Sequence, residues 1–335
     1  MGFIISEIII EKMKQNESNM AFSTPRYSLT YLKYDIKYFL TNCKYLVKYR
    51  LRRAKKRNIL YFVFEPSIKH PGLADRLKAV VSLYNVAKRD GLDFKFYYKD
   101  PFDLSDYFAH RLDWRMELSD LEYSLIDTRI INECNWRPIK ALSHNKQYQC
   151  YCYAGNDIPW KFADTGYKWS ELFNELFKPS DKLLAAYNVL CMDKKPYISV
   201  HLRFVNALEK FENTFFDNFI EDEEERKKLI LKCKNGIREI ISENKDKLLY
   251  VFSDSKLFLD SCTDIPVKTL KTDNIGHVSE KSSTDVYLKT FLDLYVMSKS
   301  DVIYRIKAKE IYNLSCFALL ASRINDVKFI DKNLD

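Results

Sequence analysis

The stretch Ile59–Tyr98, ILYFVFEPSIKHPGLADRLKAVVSLYNVAKRDGLDFKFYY, decides how this chain folds. It opens on a continuous apolar run, Ile59–Phe64, bounded by polar residues, which is the pattern of a strand buried on both faces. A loop follows over Glu65–Pro71. From Leu73 to Arg89 apolar residues recur at positions 73, 77, 80, 81, 84 and 87, which is one face of a helix. Asp90 and Gly91 end it, with glycine at a natural helix stop, and Phe94–Tyr98 reads as the next strand. Strand, loop, helix and strand in that order predict a parallel sheet.

The same alternation returns in the C-terminal half. Tyr197–Leu202, Leu248–Phe252, Val267–Leu270, Val302–Arg305 and Val327–Ile330 read as strands. Between them Asp222–Glu243, Lys256–Cys262, Ser283–Ser298 and Ile311–Arg323 read as helices. This predicts a second doubly wound α/β domain. Residues 101–180 hold Trp114, Trp136, Trp160 and Trp169, each read singly as a core residue. Strands are expected near 124–131 and 147–153, a turn at Gly155–Pro159 and a short helix at Trp169–Phe177. Loops in this region are expected to bind an acceptor, because loops on a rigid scaffold carry variable specificity. A linker is expected around Asp181–Lys195. Before Ile59 the chain changes character. Tyr31, Leu32, Ile36, Phe39 and Leu40 fall near helical spacing within Tyr27–Arg53. The expected organisation is a helical, basic extension over 1–58, an acceptor-side α/β domain over 59–190 and a nucleotide-sugar domain over 191–335.

Composition narrows the class. Of 335 residues 47% are hydrophobic and 15% aromatic, which excludes wholesale disorder. Seven glycines and nine prolines exclude fibrous and low-complexity classes. The net charge is +8, and the run Lys44–Asn58 holds eight Lys or Arg and no acid, so the excess is a local patch. Such a run is either a solvated face or a contact for anionic lipid, and a nucleic-acid surface is not expected. No apolar run reaches 18 residues and no secretory signal is visible, so a cytoplasmic protein is expected, peripheral on the inner membrane face. In that setting the eight cysteines are expected as reduced thiols. Cys150 and Cys152 stand too close for a usual zinc site.

Two α/β domains facing a cleft bind ligands at the carboxyl ends of their strands. After the first strand comes Gly72-Leu73-Ala74-Asp75-Arg76. Gly72 permits close backbone approach, and the new helix offers N–H groups to an anion. The plain alternative is Asp75 complementing the helix dipole with Arg76 facing solvent. In Ile198–Arg203, alternation puts His201 and Arg203 on one face, and an arginine fork at a strand end suits a diphosphate. The alternative is Arg203 paired with Glu209. Ser253 and Asp254 end the next strand, placed either to hold a base or ribose or to cap a helix. Asp293 lies in an apolar helix, facing a nucleotide or paired with Lys289 four residues earlier. Ser315 and Phe317 open the last helix, where N–H groups and a hydroxyl suit phosphate. Asp-x-Asp, G-x-G-x-x-G, the P-loop and G-x-S-x-G are all absent, so no metal or bound cofactor is expected.

In order and spacing, GLADRLKAVVSLYNVAK, VHLRF, YVFSDS, FLDLYVMSKSDVIY and YNLSCFALLAS resemble the motifs of the GDP-fucose-dependent fucosyltransferases that share an H-x-R element. These include the α1,6-, α1,2- and protein O-fucosyltransferases. The likeness spans roughly 59–330. It implies a GT-B-like fold, two Rossmann-like doubly wound domains facing a cleft, and inverting, metal-independent transfer to a polysaccharide or lipid-linked oligosaccharide. Carried over, Arg203 contacts the donor β-phosphate with His201 beside it, and Asp293 contacts the guanine or its surroundings. Asp254, Ser315 and Phe317 line the nucleotide pocket, and Gly72, Asp75 and Arg76 line the cleft. The chain departs where Phe204, Val205 and Asn206 follow Arg203, and at Cys316 and Ala318. Glu209, Glu212 and Asp75 are candidate bases. The alternatives are a transferase for another nucleotide sugar, a non-catalytic sugar- or nucleotide-binding relative, and a nucleic-acid binder using 44–58.

Overall fold

The computed structural model describes residues 43, 47–64, 72–131, 139–151, 160, 163, 165–190, 195–210, 218–270 and 284–335. They fall into two compact units, one of the residues up to Arg53 with Tyr123–Ile126, the other of Ala54–Glu122 with Asp127–Asp335. In the smaller unit Arg50 lies in parallel register with Ser124. The Arg50 N–H donates to the Tyr123 carbonyl at 2.8 Å, and the Leu125 N–H donates to the Arg50 carbonyl at 3.0 Å. Residues 47–53 are therefore not the end of a helix as the spacing predicts. Apart from Cys43, which is helical, the rest of that expected helix lies outside the described residues.

The larger unit contains two parallel sheets. The first is built from β1 (Ile59–Val63), β2 (Asp93–Tyr97), β4 (Thr128–Ile131) and β5 (Gln147–Cys150), in the order β2-β1-β5-β4. Helix α1 (Leu73–Arg89) crosses from β1 to β2 and buries its apolar face in the same core as Leu60, Phe62 and Phe64. The second sheet is β11-β10-β7-β8-β9, formed by Lys328–Asn333, Val302–Lys307, Tyr197–Leu202, Leu248–Ser253 and Lys268–Thr269. Its faces are split by the period of two. Ile198, Val200 and Leu202 pack with Leu229, Cys233 and Ile237 of α4 (Glu223–Glu243). The opposite face belongs to the core that holds α6 (Thr284–Met297) and α7 (Phe317–Ile324). Helix α6 also meets the segment after β2. Phe291 stacks on Tyr107 with ring centres 4.3 Å apart, and Tyr287 lies 4.7 Å from Phe102.

Four features differ from the sequence expectations. Strand β4 begins only at Thr128, because Tyr123–Ile126 pair with Arg50 instead. β3 (Phe108–His110) and β6 (Phe177–Pro179) form an antiparallel pair too short to show periodicity in sequence. The expected linker holds helix α3 (Asp181–Leu190), with the Ser180 hydroxyl accepting from the Leu183 N–H at 3.2 Å. The last helix starts at Phe317 rather than Ile311, because the Asn313 side chain folds back onto both backbone groups of Ala308. Helix α2 (Trp169–Leu176) forms as expected, and Trp114 and Trp169 are buried. Trp136, Cys134, Cys152, Cys191 and the Gly155–Pro159 turn lie outside the described residues.

Candidate functional site

Strand β7 sits at a reversal of chain order. The chain runs from β7 to β8 and β9 on one side, then returns to β10 and β11 on the other. The crevice beyond the carboxyl ends at such a point is the favoured ligand position in open α/β sheets. A cavity of about 260 Å³ lies there. Gly72, Leu73, Asp75, His201, Arg203, Ser253, Asp254, Asp293, Ser315 and Phe317 all line it, so residues from both sheets' connections converge on one volume. Arg76 does not join them. It is buried elsewhere, with Nη1 donating to the Asp100 carbonyl at 2.9 Å and the guanidinium 5.3 Å from the centre of the Tyr98 ring. Asp75 and Arg76 are neighbours on one helix, yet only Asp75 lines the cavity. Nor does Arg76 face solvent, as the alternative reading had it.

The end of β7 is held by Asp254. One carboxylate oxygen accepts from the Phe204 N–H at 2.8 Å, the other from the Val205 N–H at 2.7 Å. The second oxygen also meets Arg203 Nη1 at 2.9 Å. Val205 has φ of 58°, a left-handed conformation costly for a β-branched residue. Asp254 therefore fixes a strained corner and aims the Arg203 fork at once. Glu209 does not pair with Arg203. It accepts from the Ser255 hydroxyl and from the Leu257 N–H at 3.1 Å, at the start of α5 (Lys256–Ser261). Ser255 caps that helix by accepting from the Phe258 N–H.

His201 is buried, its ring centre 5.6 Å from that of Phe317. Its Nδ1 has no hydrogen-bond partner among the described residues. Burial above all, then the charges of Arg203, Arg305 and Lys289, push its pKa down to about 3. The imidazole is neutral at physiological pH. On α6, Lys289 Nζ meets Asp293 Oδ2 at 2.5 Å, and both side chains are buried. Asp293 Oδ1 is buried without a partner among the described residues. Burial raises the pKa of Asp293, with Lys289 opposing.

Reading the motifs missed several wall residues. Val286, Lys289 and Thr290 line the cavity with Asp293. They are its neighbours at three, four and seven residues' remove, the spacing that marks one helix face, so Asp293 could have pointed to them. Ala74, Tyr312, Leu314 and Cys316 also line it. The loop carrying the last three is tied down twice. Tyr312 donates its N–H to the Arg203 carbonyl at 2.9 Å. Arg305, forked onto Asp331, donates from Nη1 to the Ser315 carbonyl at 2.6 Å. On the facing wall, Gly72 opens α1 with no side-chain cap, and Lys78 lies 3.2 Å from Asp75. The cavity thus presents an arginine fork, a lysine, a helix N-terminus and carboxylate acceptors, a set suited to an anion joined to a polar, N–H-bearing group. Among the described residues no group of three His, Cys, Asp or Glu side chains is placed to hold a metal ion.

Solved structures share this arrangement of chain. Fucosyltransferase NodZ from Bradyrhizobium superposes with a TM-score of 0.50 at 12% identity, covering 80% of this chain and 92% of its own. NodZ α-1,6-fucosyltransferase co-crystallized with GDP gives 0.51 at 14% identity, over 80% and 92%. The chain shares the fold of these two solved structures. An arginine-to-lysine mutant of Arabidopsis thaliana FUT1, in complex with GDP, matches that fold too, with a TM-score of 0.50 at 11% identity over 84% of this chain and 72% of its own. No family model matches the sequence, and no curated protein matches it. The likeness therefore lives in the fucosyltransferase fold and not in sequence identity.

Proposed function

We propose that the chain is an inverting glycosyltransferase that moves fucose from GDP-fucose to a glycan acceptor, a polysaccharide or lipid-linked oligosaccharide, without a metal ion. The observation that carries this reading is Arg203, held by Asp254 at the carboxyl end of β7, facing a cavity that the α1 N-terminus also lines. Transfer breaks the bond between the sugar's anomeric carbon and the phosphate oxygen, and negative charge grows on the departing diphosphate. A preset guanidinium and helix N–H groups stabilise that charge without reorganising. Asp293 Oδ1, buried and without a partner among the described residues, is an acceptor for N–H groups of the guanine. The fold is shared with proteins crystallized with GDP, which supports the same choice of nucleotide.

Of the candidate bases, Glu209 is committed to the start of α5 and Glu212 lies outside the described residues. Asp75 lines the cavity, and we assign it to receive the acceptor hydroxyl's proton as that oxygen attacks opposite the leaving group. In this reading residues 59–190 form the acceptor-side domain, with its specificity in the loops of 101–180, and 191–335 the donor-side domain. The test is turnover. Purified protein with GDP-fucose and a glycan panel, in the presence of a chelator, is expected to release GDP and yield a product of inverted anomeric configuration by NMR. Turnover of a UDP-sugar instead would keep the architecture and discard fucose. Nucleotide binding without turnover across the panel would favour the non-catalytic relative.

A further inference from the structure

We propose that the small unit formed by residues 47–53 and Tyr123–Ile126 is a docking surface for an anionic phospholipid bilayer. Two features coincide there. The first is exposed aliphatic surface brought together from distant parts of the chain. Arg50 is in parallel register with Ser124, which joins the stretch carrying Val47 and Leu51 to the one carrying Leu125. Leu51 is 82% exposed, Leu125 57% and Val47 77%, so hydrocarbon stands in water where a soluble surface gains nothing from it.

The second feature is charge. Lys48, Arg50, Arg52 and Arg53 belong to the same short stretch, and all are exposed. No ion pair to a carboxylate is found for Arg50, Arg52 or Arg53 among the described residues. Arg50 instead donates from Nη1 to the carbonyls of Val47 and Tyr49, which fixes the turn. Tyr49 and Tyr123 pack edge to face at 5.7 Å, and Lys48 lies 5.3 Å from the centre of the Tyr123 ring. Aromatic rings with a polar tip, bare aliphatics and guanidinium groups free of carboxylate partners among the described residues are what the boundary between headgroups and acyl chains accommodates together. Nucleic acid would use the charges but leave Val47, Leu51 and Leu125 exposed, which is why the bilayer is the occupant chosen. The inference does not depend on the transferase reading.

The test is flotation of the full chain with phosphatidylcholine vesicles, with and without phosphatidylglycerol, at low and high salt. The protein is expected to float with the anionic vesicles and not with the neutral ones. Arg52→Ala with Arg53→Ala is expected to weaken partitioning about thirty-fold. Leu51→Ala with Leu125→Ala, which keeps every charge, is expected to weaken it about tenfold. Unchanged thermal unfolding of these exposed-site variants shows that folding is not the cause. The proposal is overturned by three results. One is no flotation with anionic vesicles. Another is flotation that neither pair of substitutions alters. The third is a leucine variant that binds vesicles as well as the wild type while the arginine variant loses capture of an RNA or DNA oligonucleotide.

Discussion

Two ion pairs line the same cavity and are built for different purposes. In Arg203–Asp254 every strong acceptor is used, since the carboxylate holds two backbone N–H groups and the guanidinium together. In Lys289–Asp293 one oxygen meets the lysine and the other, equally buried, meets nothing among the described residues. A satisfied carboxylate is scaffold. A buried carboxylate oxygen left bare costs stability and is retained where a ligand completes it. The comparison therefore separates a residue that shapes the site from one that waits for an occupant.

The sharpest way to break this contrast is Asp254→Ala. It leaves two N–H groups and a partly buried guanidinium without their partner, and is expected to cost about 3–5 kcal/mol in denaturant unfolding. A loss below about 1 kcal/mol would remove Asp254 from the scaffold. The second pair should behave in the opposite way. Replacing it whole, with Lys289→Met and Asp293→Leu, is expected to change stability by less than about 1 kcal/mol while weakening GDP binding by about 2 kcal/mol in titration. If stability fell as steeply as for Asp254→Ala, the pair would be structural after all.

The imidazole between the two pairs gives a pH test. The pKa of His201 is depressed from the usual 6.5 to about 3 in the folded protein. As pH falls, the unfolded chain takes up this proton first, so its stabilising contribution is full above about 6.5 and is lost on acidification toward about 3. Unfolding free energy is expected to fall by up to about 1.4 kcal/mol per pH unit across that window, and His201→Gln should remove this component of the slope. The smallest effect is expected at the start of α5. Ser255→Ala deletes the cap of α5 and a partner of Glu209, and is expected to cost about 1 kcal/mol without altering nucleotide affinity.

The contrast also explains what the sequence could and could not reveal. Strands such as Ile59–Val63 and Leu248–Ser253 are continuous apolar runs buried along nearly their whole length, so their order was legible. The alternation in Ile198–Arg203 was legible for the same reason. What stayed hidden were partners chosen across long separations. Arg203 takes Asp254 rather than the nearer Glu209, and Arg50 takes Ser124 rather than a helical neighbour. Arg76 shows the limit of reading a motif as a block, because a distant carbonyl, that of Asp100, claims its side chain while Asp75 lines the cavity. Lys289 was visible only as a partner for Asp293, since local spacing reveals a pair but not the cavity it faces.

The most direct test of the central claim is titration calorimetry of GDP, UDP, CMP and ADP in the presence of a chelator, on the wild type and Arg203→Ala. The account predicts selective binding of GDP, weakened at least about tenfold when the arginine fork is removed, because a charge-assisted hydrogen bond is lost. Failure of every nucleotide to bind, or GDP binding that Arg203→Ala leaves unchanged, would contradict it.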